Sequence, residues 1–171
     1  MIAVIKSHRN LLGIILAGLT CICTAATVIT NADFKGEWTF NEKNSKLAEG
    51  RGRAAPAKIK VSQDGDVLVI DRTNSGPNGD FTSTEKLTFD GKTAESTVFG
   101  NSKRKSTAAW GSGGNEMTIN STIAFERDGN TFEVKITEVW KLINDGKSLS
   151  IDYTSVSQRG TTNQTFVYDK N

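Results

Sequence analysis

The chain has 171 residues, with 21 Lys and Arg against 19 Asp and Glu, one His and two Cys. The His (His8), both cysteines (Cys21, Cys23) and two of the basic residues (Lys6, Arg9) lie in the first 32 residues, so the remainder balances at 19 basic and 19 acidic residues and has neither imidazole nor thiol. For that remainder this excludes a His-based triad, a Cys nucleophile, haem held by His or Cys, a Cys/His zinc site and a disulfide, and the even charge balance offers nucleic acid no basic footprint.

At the N-terminus, Lys6 and Arg9 precede an apolar stretch from Leu11 to Ile22, and small residues follow, with candidate cleavage points after Ala26 or Ala32. This is the layout of a secretory signal peptide. Residues 1–32 are therefore expected to be a signal peptide and residues 33–171 one exported domain, periplasmic or extracellular. An uncleaved membrane anchor is the alternative, because no charge occurs between Asn10 and Ala32. Lipidation at Cys21 is a third reading, for which Gly18-Leu19-Thr20 makes a poor lipobox. The remaining chain, about 140 residues, suffices for one domain with a sizeable core.

Ten segments read as strands: 34–40, 57–62, 66–72, 81–89, 92–98, 104–110, 116–126, 131–142, 148–158 and 162–169, with a possible turn of helix around Asn44 to Ala48. Four Asp-Gly pairs, at Asp64, Asp90, Asp128 and Asp145, punctuate them. Asp-Gly suits a two-residue turn because both residues tolerate positive φ, so each pair is expected to close a hairpin and set its register. In a simple meander the turns at 64–65, 90–91 and 145–146 and the Gly-rich link 111–115 share one rim. The longer loops share the other, with Arg51, Arg53, Arg72, Lys103, Arg104, Lys105, Arg127 and Arg159 in or near them. The expected fold is all-β: an antiparallel up-and-down β-barrel of eight to ten strands, closed by pairing of the last strand with the first, with a β-sandwich as the alternative.

Counting outward from the turns gives facing. Asp64-Gly65 places Ile59 opposite Ile70 and Val61 opposite Leu68. Asp128-Gly129 places Phe125 opposite Phe132, Ile123 opposite Val134 and Met117 opposite Trp140. Asp145-Gly146 places Leu142 opposite Leu149 and Trp140 opposite Ile151. The same parity puts polar groups on the apolar face: Glu85 in line with Phe81, Leu87 and Phe89, and Glu138 between Ile136 and Trp140 and across from Tyr153, with Ser121, Ser155, Ser157, Arg159 and Gln164 following. An unpaired carboxylate is costly in a dry core. Either the barrel encloses a solvated or ligand-filled cavity, or bulges re-aim some of these side chains. Register keeps Arg159 about 20 Å from Glu138 along the strand, which leaves Tyr153 as the expected partner of Glu138.

The first strand reads Phe34-Lys35-Gly36-Glu37-Trp38-Thr39-Phe40. Gly36-x-Trp38 resembles the G-x-W of the first barrel strand in lipocalins and their calycin relatives, and the stretch from Gly36 to Ser45 looks like the start of small secreted bacterial proteins of lipocalin-like type. The resemblance implies a Trp capping one end of a ligand cavity and a late-strand Arg packed over it, a part Arg159 would take. Ten strands is more than the eight of lipocalins and more like the intracellular fatty-acid-binding proteins.

The expected function is binding of a small hydrophobic or amphipathic ligand, an anionic one included, inside the barrel, without chemical conversion, cofactor or metal. Trp38, Glu85, Phe89, Phe132, Glu138, Trp140, Tyr153 and Arg159 are its candidate contacts, with Phe125 and Ile151 in the apolar wall. The expected partner is that ligand alone, for a monomer that could associate with the cell envelope. A filled barrel serving as an envelope structural or interaction module is the second reading. An enzyme using Glu85 and Glu138 as a carboxylate pair is the third.

Overall fold

A computed structural model describes residues 30–49, 55–77, 79–98, 102–127 and 129–171. The N-terminal segment up to residue 29, Arg51, Arg53, Asp128 and the side chain of Arg127 lie outside the described residues. Ten strands follow in order: β1 (Gly36–Phe40), β2 (Lys58–Asp64), β3 (Val67–Gly76), β4 (Gly79–Leu87), β5 (Ala94–Thr97), β6 (Lys103–Trp110), β7 (Glu116–Arg127), β8 (Asn130–Ile143), β9 (Ser148–Ser157) and β10 (Gly160–Lys170). Each overlaps a strand expected from the sequence.

All ten belong to one antiparallel sheet in the order β4-β3-β2-β1-β10-β9-β8-β7-β6-β5. The last strand closes on the first as expected, with Phe40 opposite Tyr168 and Trp38 opposite Lys170. The edge strands β4 and β5 approach each other but are not hydrogen-bonded neighbours in the sheet, so the barrel is nearly, not fully, closed. Between β1 and β2 a 3-10 turn (Glu42–Asn44), capped by the Asn41 side chain, lies against β10. There Ser45 Oγ accepts from the Val167 N–H at 2.9 Å.

Two expected registers hold along their whole length. Phe125 pairs with Phe132, Ile123 with Val134 and Met117 with Trp140, while Leu142 pairs with Leu149 and Trp140 with Ile151. At the Asp145 turn, Asn144, Asp145 and Gly146 all take positive φ (53°, 55° and 78°), the conformation this sequence tolerates best.

Two other Asp-Gly pairs behave differently. The β2–β3 turn is Gly65-Asp66 rather than Asp64-Gly65, with positive φ at Gly65 alone, the requirement of a type II′ turn. The pairing slips by two residues, to Val61 opposite Ile70 and Ile59 opposite Arg72; because the slip is even, the facing survives. Asp90-Gly91 closes no ladder. It sits in the link between β4 and β5, where the Asp90 carboxylate accepts from the Thr88 hydroxyl at 2.6 Å and the Lys92 N–H at 3.2 Å.

The half of the barrel toward the short turns is packed solid. Trp38, Ile70, Leu87, Met117, Ile119, Trp140 and Leu149 are fully buried there. Phe34 stacks on Trp110 at 5.7 Å, and Trp110 on Phe89 at 5.0 Å. Ala32 is already part of the fold, its N–H donating to Gly114 O at 2.8 Å.

Candidate functional site

Above this packed half lies a layer of buried charge. Strand parity places Arg72 on the same inward face of β3 as Leu68 and Ile70, and Arg104 on the same face of β6 as Ser106 and Ala108. Glu85 comes from β4, between Ser83 and Leu87 on the inward face, and Glu138 from β8, between Ile136 and Trp140. All four residues are 4–6% exposed.

They form a closed cycle. Arg72 Nη2 donates to Glu138 Oε2 at 2.9 Å, and Arg104 Nη2 to Glu138 Oε1 at 3.2 Å. Glu85 completes it, its oxygens 3.5 Å from Arg72 Nη2 and 3.5 Å from Arg104 Nε. Further donors fill the remaining lone pairs. Trp140 Nε1 donates to Glu138 Oε2 at 2.9 Å and the Ser106 hydroxyl donates to Glu85, while Arg104 Nε donates to Ser121 Oγ at 3.0 Å. The Arg72 guanidinium also lies over the Trp140 ring, 5.4 Å from its centroid. Buried ions are tolerable only when paired and hydrogen-bonded in this way.

The balance of effects shows in the protonation equilibria. Burial alone would raise the pKa of Glu138. The charges of Arg72 and Arg104, with hydrogen bonds from Trp140 and Arg72, outweigh it and hold the carboxyl at about 2. Burial opposes the charge on Arg72 too, but Glu138 and Glu85 overcome it and leave the pKa raised. Tyr153, opposite Glu138 in the sheet, is pushed above its ordinary value by burial and then by the Glu138 charge.

On the side of the charge layer facing the long loops is a cavity of about 190 Å³. Arg72, Arg104 and Glu138 contribute to its lining, along with apolar groups such as Phe81, Ile123, Phe125 and Phe166. Asn74, Ser83 and Tyr153 add neutral polar groups. Arg72 Nε is buried without a hydrogen-bond partner among the described residues. Phe125 also borders a more open hollow of about 630 Å³ at the barrel mouth, lined by Phe132, Val134, Ser155, Ser157 and Arg159 and by Glu126 and Glu133.

The eight candidate contacts therefore separate. Glu138 and Tyr153 line the cavity, and Glu85 lies within the charge cycle. Phe132 and Arg159 stand at the outer hollow. Trp38 and Trp140 are wholly buried, and Phe89 packs on Trp110, in the filled half. The partner expected for Trp38 is also different. Arg159 sits exposed in the β9–β10 turn, and Lys170 takes the place over the indole, its Nζ 5.2 Å from the ring centroid. The hydrogen-bond partners of Glu138 are two arginines and an indole, not the expected Tyr153, which bonds Ser155 instead.

Arg72 and Arg104, assigned to the loop rim from sequence, are the residues that reasoning missed. The signal was their parity: Arg72 is two positions from Ile70, and Arg104 two from Ser106. Lys103 and Lys105, the neighbours of Arg104, point the other way and are exposed. Among the described residues no three His, Cys, Asp or Glu side chains converge as a metal site requires.

No family model matches the chain, and no curated protein does either. Among solved structures it is similar to the crystal structure of zebrafish ileal bile acid-binding protein complexed with cholic acid, at 18% identity and a TM-score of 0.53, over 81% of this chain and 98% of that one. The likeness is one of fold. It covers nearly all of the other chain.

Proposed function

We propose that this protein binds a small apolar or amphipathic molecule in the loop-side half of the barrel and does not convert it chemically. The observation that carries this is the division of the interior. One half is packed, and the other holds a cavity with apolar walls over a buried polar floor, the layout by which ligand pockets combine affinity with orientation. Residues Phe81, Ile123, Phe125 and Phe166 would hold the apolar part, and Arg72, Asn74, Ser83 and Tyr153 the polar end. The cavity is small, so a longer ligand would extend into the mouth past Phe132. The similar barrel of a bile acid-binding protein is consistent with the reading.

A carboxylate mechanism is the weaker reading. With its carboxyl held at about 2, Glu138 is ionised at neutral pH and would be a poor general acid. The charge pattern and apolar run of residues 1–32 support export, with binding in the periplasm or outside the cell.

The test is native mass spectrometry of detergent-free protein from its own host, together with titration by the neutral apolar fluorophore Nile red. Retained small molecules, or saturable fluorescence weakened by Phe125→Ala, are expected. Protein that is empty as isolated and gives no saturable signal would remove the proposal.

A further inference from the structure

We infer that the molecule bound here presents an uncharged polar end, such as an alcohol, carbonyl, ester or amide, to the floor of the cavity. This rests on the ligand-binding reading above and adds the class of ligand. The floor is already neutral: two guanidiniums face two carboxylates in a closed cycle. Both oxygens of Glu138 accept charged donors, and no cation of the cycle lacks a counter-ion. A carboxylate entering the cavity would add a second negative charge beside Glu138, with no unbalanced cation to meet it. An ammonium would add a positive charge beside Arg72 and Arg104. In a buried site an uncompensated charge is strongly disfavoured.

The groups left for a ligand are of the other kind. Arg72 Nε offers one N–H without a partner among the described residues, Asn74 and Ser83 offer an amide and a hydroxyl, and the Tyr153 hydroxyl, already bonded to Ser155, lies beside them. These suit a single lone pair or a hydroxyl. The mouth adds no cationic excess, because Arg159 shares its hollow with Glu126 and Glu133, and Lys103 and Lys105 face outward.

The experiment is displacement of Nile red by three probes of equal chain length at neutral pH: decan-1-ol, decanoate and decylammonium. Decan-1-ol is expected to displace at a concentration at least tenfold lower than either ion. In Glu85→Gln the cycle keeps both arginines and loses one carboxylate, so decanoate should gain at least tenfold relative to decan-1-ol. Arg104→Gln should favour decylammonium in the same way. Circular dichroism checks that each variant folds, and the wild-type ranking decides the matter even if one does not. Decanoate or decylammonium binding wild-type protein as tightly as decan-1-ol would overturn the inference and leave ligand binding standing. If Nile red binds nowhere in the protein, both fall together.

Discussion

Arg72 Nη2 meets Glu138 Oε2 at 2.9 Å although the two residues lie on strands, β3 and β8, separated by four others around the barrel wall. The contact therefore crosses the lumen. Arg104 reaches the same carboxylate from β6, past the single strand β7. The charge cycle thus ties β3, β4, β6 and β8 together at one level and spans the seam between β4 and β5, with β4 on one side of it and β6, the neighbour of β5, on the other. It also divides the interior into a packed end and an open end.

Removing one member should be far worse than removing all four. Glu138→Ala leaves two buried guanidiniums with a single carboxylate between them and is expected to cost about 3–5 kcal/mol. Replacing the whole cycle by apolar groups (Arg72→Met, Arg104→Met, Glu85→Leu, Glu138→Leu) removes both the attraction and the desolvation cost. That variant should be within about 2 kcal/mol of wild type, or more stable. Urea denaturation at neutral pH compares them. A quadruple variant less stable than Glu138→Ala would mean that the cycle is worth more than apolar packing.

Acid should act through Glu138. Its folded pKa of about 2 lies below the ordinary carboxylate value of about 4.3 in an unfolded chain. Such a group adds stability that is fully present above the unfolded value and is lost as pH falls through the folded one. The difference is worth on the order of 3 kcal/mol. Stability measured by denaturation should fall between about pH 4.5 and pH 2, and Glu138→Gln should flatten that part of the profile. A profile equally steep in the variant would assign the acid sensitivity to other carboxylates.

Much of the barrel was legible in the sequence because strand facing has a period of two and survives small errors. The β7–β8 and β8–β9 registers follow from their turns, and even the two-residue slip at Gly65 left Val61 and Ile70 inward. The charge layer was half legible. Glu85 and Glu138 stood out as acidic residues on an apolar face, which suggested either a cavity or bulges. The structure has a cavity, and the register around Glu138 runs unbroken. Compensation by arginines was the part not foreseen. Arg72 and Arg104 fell at the ends of their expected strands, 66–72 and 104–110, where long cationic side chains ordinarily reach water. β3 instead runs on to Gly76, and the β7–β8 hairpin extends alongside Arg104, so both are enclosed. Asp90-Gly91 misled for a related reason: a turn sequence sets local φ but cannot make β4 and β5 pair.

Trp140 should matter for its N–H as well as its bulk. Nε1 donates to Glu138 Oε2 at 2.9 Å, and the ring lies under the Arg72 guanidinium. Trp140→Phe keeps an aromatic face for the cation but leaves the carboxylate one donor short. The expected cost is about 1–3 kcal/mol. Because that hydrogen bond is one of the influences lowering the Glu138 pKa, the acid transition should also move to higher pH. Denaturation at neutral pH and an acid titration followed by circular dichroism read the two effects separately. A stability loss with no shift in the acid transition would point to packing alone.

Gly36 separates two reasons for the glycine in the first strand. Its φ is +137°, a conformation that side-chain-bearing residues rarely adopt. A Cβ placed there would also come within 3.0 Å of Lys170 Cε, on the side chain whose ammonium lies over Trp38. Gly36→Ala is expected to destabilise by about 1–3 kcal/mol through backbone strain, with a further loss if Lys170 is displaced from the indole, a cation–π contact worth about 0.5–1 kcal/mol. Lys170→Ala alone should cost only that smaller amount. In the Lys170→Ala background the lysine is gone and the backbone requirement remains, so Gly36→Ala should still cost at least about 1 kcal/mol. Denaturation of the four proteins in this cycle measures both terms. If the penalty at Gly36 vanishes once Lys170 is removed, the glycine is there to make room for the lysine over Trp38, and its φ is incidental.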